Sequence, residues 1–284
     1  MALDLSRVRV ILFDLDGTLY DDTHHFDRYA ELIGEGLSEE LRAPFMAEYQ
    51  AATRGEHPAL RIGTFYDVKH DLVLKIKEGH VEQALHWDGS VAPTLVTRQL
   101  YPGPVVPDHT TIYNVGDLWW VPSSIAAHYG GKPEHGQASF LRIREEMMAP
   151  SFTVNPIEAL AETVEGLKGK VVRVLATNSP QPDSEAILSK VGLLPHLDQL
   201  FFASRKPAGL TPIIEGLLAE HGLEPDQLVS VGDNLTNELL PAKQLGCQTV
   251  FLDPHGIGAG PEADLIVPSM REFLPQLRAL AGLA

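Results

Sequence analysis

The chain has 284 residues, which suggests one large domain or two of modest size, with a core that needs no disulfide or structural metal. Its 22 basic and 38 acidic side chains give a formal net charge of −16, which argues against broad binding of nucleic acid or of an anionic membrane. The one cysteine, Cys247, cannot form an intrachain disulfide, and no apolar run reaches the ~20 residues of a membrane-spanning helix. The apolar stretch near the N-terminus is short and ends in carboxylates, unlike a signal peptide. We therefore expect a cytoplasmic globular protein.

The first predicted element is a short strand. Val8 and the run Val10–Phe13 are apolar and mostly β-branched or bulky, which is typical of a strand buried on both faces. The run ends at Asp14, and Gly17 follows as a turn residue.

Residues 20–150 differ in character from the segments on either side. Their first part and their end have helical spacing, with Asp22 or Thr23 as a candidate N-cap. The stretch 87–132 contains proline, glycine and aromatic residues and has no clear helical period. We predict helices from the N-cap to Leu41 and over 43–53, 64–85 and 137–148, and short strands over 110–115 and 118–121.

From residue 153 onward, helical and strand patterns alternate. The predicted helices are 155–167, 183–191, 211–221, 237–245 and 270–280, and the predicted strands are 171–176, 200–203, 228–232, 249–252 and 265–267. Because a helical crossover joins parallel neighbours, this order predicts an α/β fold with a Rossmann-like, doubly wound parallel sheet. We expect a core domain of residues 1–19 and 151–284, with a mainly α-helical domain of residues 20–150 inserted after the first strand.

Polar side chains follow four of the predicted strands, where ligands bind in sheets of this kind. Carboxylates from separate strands would repel each other at one sheet edge, and a divalent cation is the natural way to neutralise them. Ligand sets made only of oxygen select a hard ion, Mg²⁺ first, and a lysine beside them suits an anion such as a phosphoryl group. The segments are Asp14-Leu15-Asp16-Gly17-Thr18, Thr177-Asn178-Ser179, Lys206-Pro207 and Gly232-Asp233-Asn234, with Asn237 and Glu238 one turn on.

These segments, in this order, resemble the four motifs of the haloacid dehalogenase-like (HAD) hydrolase superfamily. The resemblance implies that Asp14 is a nucleophile and metal ligand, and that Asp16 is an acid/base whose main-chain carbonyl binds the metal. It also implies that Thr177 and Lys206 hold the phosphoryl group and that Asp233 is the third protein ligand of Mg²⁺.

Several assignments within that resemblance are left open. Thr177 is also a candidate helix N-cap, and Asn178 either binds phosphate or braces its loop. The fourth motif often has a second Asp where this chain has Glu238, so its role is direct or through water. Asn234, Asn237 and Glu238 are candidates for the outer shell of the metal site.

The resemblance also implies that residues 20–150 form a cap domain, which closes over the site, excludes water and favours small substrates. The cap is enlarged relative to the usual helical bundle by the irregular stretch 87–132. We expect a Mg²⁺-dependent phosphatase that cleaves a small phosphorylated metabolite through an aspartyl-phosphate, without nucleic-acid or membrane partners. Asp16 favours this over a dehalogenase, because ester cleavage needs a proton for the leaving group. A phosphomutase, a phosphonatase and a non-catalytic phospholigand-binding module are the alternatives.

Overall fold

The computed structural model describes residues 3–108, 110–258 and 262–283. The chain divides into a core unit, Met1–Asp22 with Glu145–Ala284, and an inserted unit, Thr23–Arg144. That the inserted unit acts as a cap stays a prediction. Within the described ranges, no helix has both the length and the apolar composition to cross a membrane.

The strands and helices are numbered in chain order. The strands are β1 Val10–Phe13, β2 Thr64–Asp67, β3 Leu72–Lys77, β4 His80–Leu85, β5 Ile112–Val115, β6 Val172–Ala176, β7 Gln199–Phe201, β8 Leu228–Gly232, β9 Gln248–Leu252 and β10 Leu265–Val267. The helices are α1 His24–Gly34, α2 Glu39–Thr53, α3 Thr94–Leu100, α4 Trp120–His128, α5 Pro133–Met148, α6 Leu160–Gly166, α7 Gln181–Lys190, α8 Leu210–His221, α9 Leu240–Gln244 and α10 Met270–Ala281.

The core unit is built on a six-stranded sheet in the order β10-β9-β8-β1-β6-β7. Each neighbouring pair is parallel, so the carboxyl ends of the strands lie on one edge. Phe13, the last residue of β1, lies opposite Leu175 of β6 and Val231 of β8. This confirms the predicted α/β fold with a parallel sheet and places β1 between the strands that carry the second and fourth motifs.

β1 is buried along its whole length, as is typical of a central strand in a parallel sheet. Val10 and Leu12 belong to a cluster with Val174 of β6 and with Leu210 and Ile214 of α8. Such packing holds the backbone at the end of β1 in a fixed position. The position of the residues that follow β1 is fixed with it.

The inserted unit is mainly helical, as predicted, but it also contains an antiparallel sheet in the order β4-β3-β2-β5. The helix predicted over 64–85 is therefore wrong. β3 and β4 are joined by the two residues Glu78 and Gly79, whose φ values of +50° and +78° suit a tight hairpin turn. Leu72, Leu74 and Ala84 form the apolar core under this sheet.

Several predicted boundaries also differ from the structure. The helix expected to reach Leu41 ends at Gly34, and α2 begins only at Glu39. Residues 118–121, predicted as a strand, lead into α4. The helix expected from Asn155 begins at Leu160, because Ala159 has a left-handed φ of 63° that is incompatible with a helix.

Candidate active site

Asp14 follows directly from β1 and is nearly buried, with 7% of the residue exposed. Its backbone N–H donates to the carbonyl of Val231 at 3.0 Å, so the ladder to β8 continues as far as this residue. After it the chain turns back, and the N–H groups of Thr18 and Leu19 both donate to the carbonyl of Leu15. The sheet thus fixes the backbone of the first carboxylate.

Lys206 lies between two carboxylates. Its Nζ is 2.6 Å from Asp14 Oδ1 and 2.7 Å from Glu238 Oε1, and its side chain is 2% exposed. Burial alone would lower the pKa of this ammonium, but attraction to Asp14 and Glu238 outweighs burial, so the pKa of Lys206 is raised. Lys206 is therefore charged at neutral pH, whereas burial raises the pKa of the Asp14 carboxyl above its ordinary value of 3.8.

Glu238 is positioned by its local backbone. Its Oε2 accepts from the N–H of Asn234 at 2.9 Å, and a Cβ added to Gly232 would lie 2.6 Å from Glu238 Cγ. The glutamate side chain therefore passes directly over a glycine and reaches Lys206. The sequence left its role open; the structure makes it the second partner of the lysine.

The neighbouring asparagines have different surroundings. Asn234 Oδ1 accepts from the N–H groups of Thr236 and Asn237, both at 3.2 Å, and so caps the π-helical turn Leu235–Leu239 that leads into α9. Asn237 is 6% exposed, and its Oδ1 has no hydrogen-bond partner among the described residues. Their predicted outer-shell roles at a metal stay predictions.

Asp233 meets the Asp14 loop at Gly17. A Cβ added to Gly17 would lie 2.2 Å from Asp233 Oδ2, and Gly17 has a φ of +76°, which favours glycine. Only a residue without a side chain leaves room for this carboxylate. The fourth-motif carboxylate thus packs against the loop that carries Asp14 and Asp16.

Asp16 accepts a hydrogen bond at each carboxylate oxygen. Tyr20 Oη donates to Oδ1, and Ser179 Oγ donates to Oδ2 at 2.8 Å. Tyr20 is fully buried and Ser179 is 3% exposed. Sequence reasoning did not single out either hydroxyl as a site residue, although Ser179 stands in the quoted Thr177-Asn178-Ser179 segment and Tyr20 comes four residues after Asp16.

Thr177 and Asn178 follow β6, next to β1. Thr177 is 1% exposed, and its Oγ1 accepts a hydrogen bond from the N–H of Ser179 at 3.0 Å. The hydroxyl hydrogen of Thr177 therefore points away from that N–H. Thr177 is not the N-cap of α7, because that position belongs to Pro180. Asn178 Oδ1 accepts from the N–H of Lys206 at 2.7 Å, and its Nδ2 donates to the carbonyl of Lys206 at 3.3 Å. Asn178 thus braces the lysine loop.

The donor set suits a hard divalent cation. The predicted ligands are all oxygen atoms, namely the carboxylates of Asp14 and Asp233 and the main-chain carbonyl of Asp16. No three His, Cys, Asp or Glu side chains form a metal-type group in the described ranges. The metal-ligand roles of Asp14, of Asp233 and of the Asp16 main-chain carbonyl stay predictions. The Asp16 side chain is instead held by two hydroxyl groups.

Comparison with known families identifies the chain. The sequence model for haloacid dehalogenase-like hydrolases matches residues 8–246, which includes all four motifs. The chain belongs to this family. This HAD hydrolase is therefore an enzyme, and the resemblance inferred from its motifs is confirmed. A search of curated proteins gives no significant match.

Several solved structures are similar to this HAD hydrolase at low sequence identity. One is the putative HAD-hydrolase YfnB from Bacillus subtilis bound to magnesium, with a TM-score of 0.53, 15% identity and coverage of 95% of this chain and 99% of that one. Another is a predicted phosphoglycolate phosphatase from Haemophilus somnus, with a TM-score of 0.50, 15% identity and coverage of 96% and 99%. A dehalogenase also matches, with a TM-score of 0.47, 16% identity and coverage of 95% and 96%. The similarity to the first two structures shows a fold and does not assign a reaction.

Proposed function

We propose that this HAD hydrolase is a Mg²⁺-dependent phosphatase that cleaves a small phosphate monoester. The observation that carries the proposal is the pairing of the buried Asp14 carboxylate with the Lys206 ammonium at 2.6 Å, with Asp16 in the same loop. A nucleophile, an anion-binding cation and an acid/base are then all present at one sheet edge. A dehalogenase would not need Asp16, because halide leaves without a proton.

The first step forms an aspartyl-phosphate. A carboxylate oxygen of Asp14 attacks phosphorus, the bond from phosphorus to the ester oxygen breaks, and Asp16 gives its proton to that oxygen. Lys206 and the Thr177 hydroxyl hold the phosphoryl oxygens, whose negative charge the ammonium offsets.

The second step restores the enzyme. Asp16, now a carboxylate, takes a proton from water, and the resulting hydroxide attacks phosphorus. The bond between phosphorus and the Asp14 oxygen breaks, which releases inorganic phosphate and regenerates both carboxyl groups in their starting forms. The alcohol and phosphate are the only products.

Mg²⁺ would be held by Asp14, Asp233 and the carbonyl of Asp16, with Glu238, Asn234 and Asn237 farther out. When bound, it supplies positive charge that offsets the repulsion between the carboxylates and the phosphoryl group. The magnesium-bound HAD relative is consistent with this choice of ion.

The substrate we propose is a small phosphorylated metabolite. A formal charge of −16 disfavours polyanionic partners such as nucleic acid or an anionic membrane surface. The insertion of residues 23–144 between the first and second motifs is consistent with a cap that admits small molecules.

Hydrolysis of p-nitrophenyl phosphate with and without Mg²⁺ tests the proposal. The wild type and an Asp198→Asn control should release phosphate only with the metal, whereas Asp14→Asn should be inactive. Asp198 precedes β7 at the opposite, amino end of the sheet and pairs with Arg173, so its loss leaves the site intact. Release of halide from a 2-haloalkanoate, with no release of phosphate from any ester, would contradict the proposal.

A further inference from the structure

Asp16 is held from two independent parts of the core unit. Tyr20 lies on the same loop, four residues along, and its backbone forms an isolated parallel bridge with Asp16. Ser179 lies after β6, where its own N–H donates to Thr177 Oγ1 and its carbonyl accepts from the N–H of Ala203. The two hydroxyl groups therefore approach the carboxylate from two separately fixed backbones.

The two hydrogen bonds are made to different oxygens of the Asp16 carboxylate. Tyr20 Oη donates to Oδ1 and Ser179 Oγ donates to Oδ2, which fixes the plane of the carboxylate about its bond to Cβ. Each carboxylate oxygen can accept more than one hydrogen bond, so one donor on each oxygen does not exhaust its capacity to exchange a proton. General acid catalysis depends on such orientation, because the proton must point at the leaving oxygen when the ester bond breaks.

We propose that Tyr20 and Ser179 are positioning residues for Asp16, which set the direction in which it delivers its proton to the leaving group. This inference rests on the proposed phosphatase function. It adds two residues that act on the site through Asp16, one of them the fully buried tyrosine two residues after the first motif.

The proposal predicts an effect that depends on the leaving group. The value of kcat/KM covers steps up to cleavage of the ester bond, so it includes proton donation to the leaving oxygen. Nitrophenolate is a stable anion and leaves with little protonation, whereas phenolate is more basic and benefits from an acid. A misdirected Asp16 should therefore impair phenyl phosphate far more than p-nitrophenyl phosphate. A purely structural defect should impair both equally.

The variants are Tyr20→Phe and Ser179→Ala, each of which removes one hydroxyl from a buried position. We expect kcat/KM for phenyl phosphate to fall about 10-fold in each, the equivalent of one hydrogen bond to a charged group, and that for p-nitrophenyl phosphate to fall less than about 3-fold. In the double variant, the loss of kcat/KM for phenyl phosphate should exceed the loss for p-nitrophenyl phosphate by a still larger factor.

Matched controls remove comparable hydroxyl groups elsewhere. Tyr66→Phe removes a bond to Asp71 of 2.7 Å in the inserted unit, and Ser184→Ala removes a bond to the carbonyl of Pro180 of 2.7 Å on α7. Both should leave the ratio of the two kcat/KM values unchanged.

Equal losses on both esters in Tyr20→Phe and Ser179→Ala would overturn the positioning role while leaving the phosphatase proposal intact. A wild type that hydrolyses neither ester would instead overturn the phosphatase proposal, and the inference with it. If the two variants prove unstable, thermal unfolding will reveal it, and the ratio of kcat/KM values per folded enzyme still decides the question.

Discussion

Glu238 Oε1 lies 2.7 Å from Lys206 Nζ, the same ammonium that lies 2.6 Å from Asp14 Oδ1. The glutamate shares the lysine with the candidate nucleophile, and all three side chains are at least nine-tenths buried. Removing one member of such a group leaves a buried charge short of a partner, which is strongly unfavourable.

The variant Glu238→Gln tests the role of this carboxylate. A glutamine has one acceptor oxygen for the two donors, Lys206 Nζ and the N–H of Asn234, so one bond should be lost. We expect kcat/KM to fall about 10-fold and the free energy of unfolding to drop by about 1–3 kcal/mol. Glu220→Gln, at an exposed glutamate on α8, is the control for steady-state kinetics and urea unfolding. Unchanged kinetics in Glu238→Gln would show that the glutamate is not needed to hold Lys206.

The contact between Gly17 and Asp233 makes a prediction about metal binding. In Gly17→Ala the new Cβ would meet Asp233 Oδ2 and force the carboxylate away. We expect the Mg²⁺ concentration for half-maximal activity to rise at least about 10-fold, because a displaced ligand binds poorly. Titration of activity with Mg²⁺ gives the measurement.

Gly222→Ala is the matched control for that experiment. Gly222 has a positive φ of 63° at the C-cap of α8, but a Cβ there meets nothing within 4 Å. Both variants carry the backbone strain of about 1 kcal/mol, whereas only Gly17→Ala disturbs Asp233. Equal Mg²⁺ requirements in the two variants would rule out a ligand role for Asp233.

We expect the ion pair of Arg173 and Asp198 to make the free energy of unfolding depend on pH. Hydrogen bonds from Arg173 lower the pKa of Asp198 below its ordinary value of 3.8. A carboxyl whose pKa is lower in the folded state stabilises the protein above its unfolded pKa and loses that effect as the pH falls through the folded value. Asp198→Asn should therefore be less stable than the wild type at neutral pH.

Urea unfolding at pH values above and below 3.8 checks this dependence. The difference in midpoint between wild type and Asp198→Asn should be largest at neutral pH and shrink at the acid end. A difference that stays constant with pH would show that the ionised carboxylate does not contribute through Arg173.

Lys190 binds the segment by which the chain returns from the inserted unit, and we expect this contact to contribute to the free energy of unfolding. Its Nζ donates to the carbonyls of Met147, Ala149 and Phe152 at 2.8, 2.7 and 2.8 Å. Lys190→Met keeps the length of the side chain but removes all three donors, so we expect the free energy of unfolding to fall by about 1–3 kcal/mol. Lys168→Met, at an exposed lysine, should change it by less than about 0.5 kcal/mol. A loss no larger in Lys190→Met than in the control would refute the role of these bonds.

The core fold could be predicted because the sequence patterns that indicate its strands and helices are local and consistent with each other. Buried apolar runs mark β1 and β8, helical periods separate the strands, and polar residues follow the strand ends. Parallel pairing then brings distant motifs together without further information. The proximity of Lys206 and Asp14, 192 positions apart, follows from that topology.

The inserted sheet was missed because apolar residues over 64–85 also fit a helical period. The better signal was the pair Glu78-Gly79 between Lys77 and His80, which suits a two-residue hairpin. The bonds of Glu238 to Lys206 and of Tyr20 and Ser179 to Asp16 depend on side-chain direction within turns. Residue type and spacing in one sequence do not specify that direction.

Trapping the covalent intermediate tests the central claim most directly. The enzyme is mixed with Mg²⁺ and a phosphate monoester labelled on phosphorus, quenched in acid within the first turnovers, digested and analysed by mass spectrometry. We predict phosphate on the peptide that contains Asp14, its disappearance during a chase with unlabelled ester, and its absence in Asp14→Asn. Steady release of phosphate by the wild type with no label at Asp14 at any quench time would contradict the account.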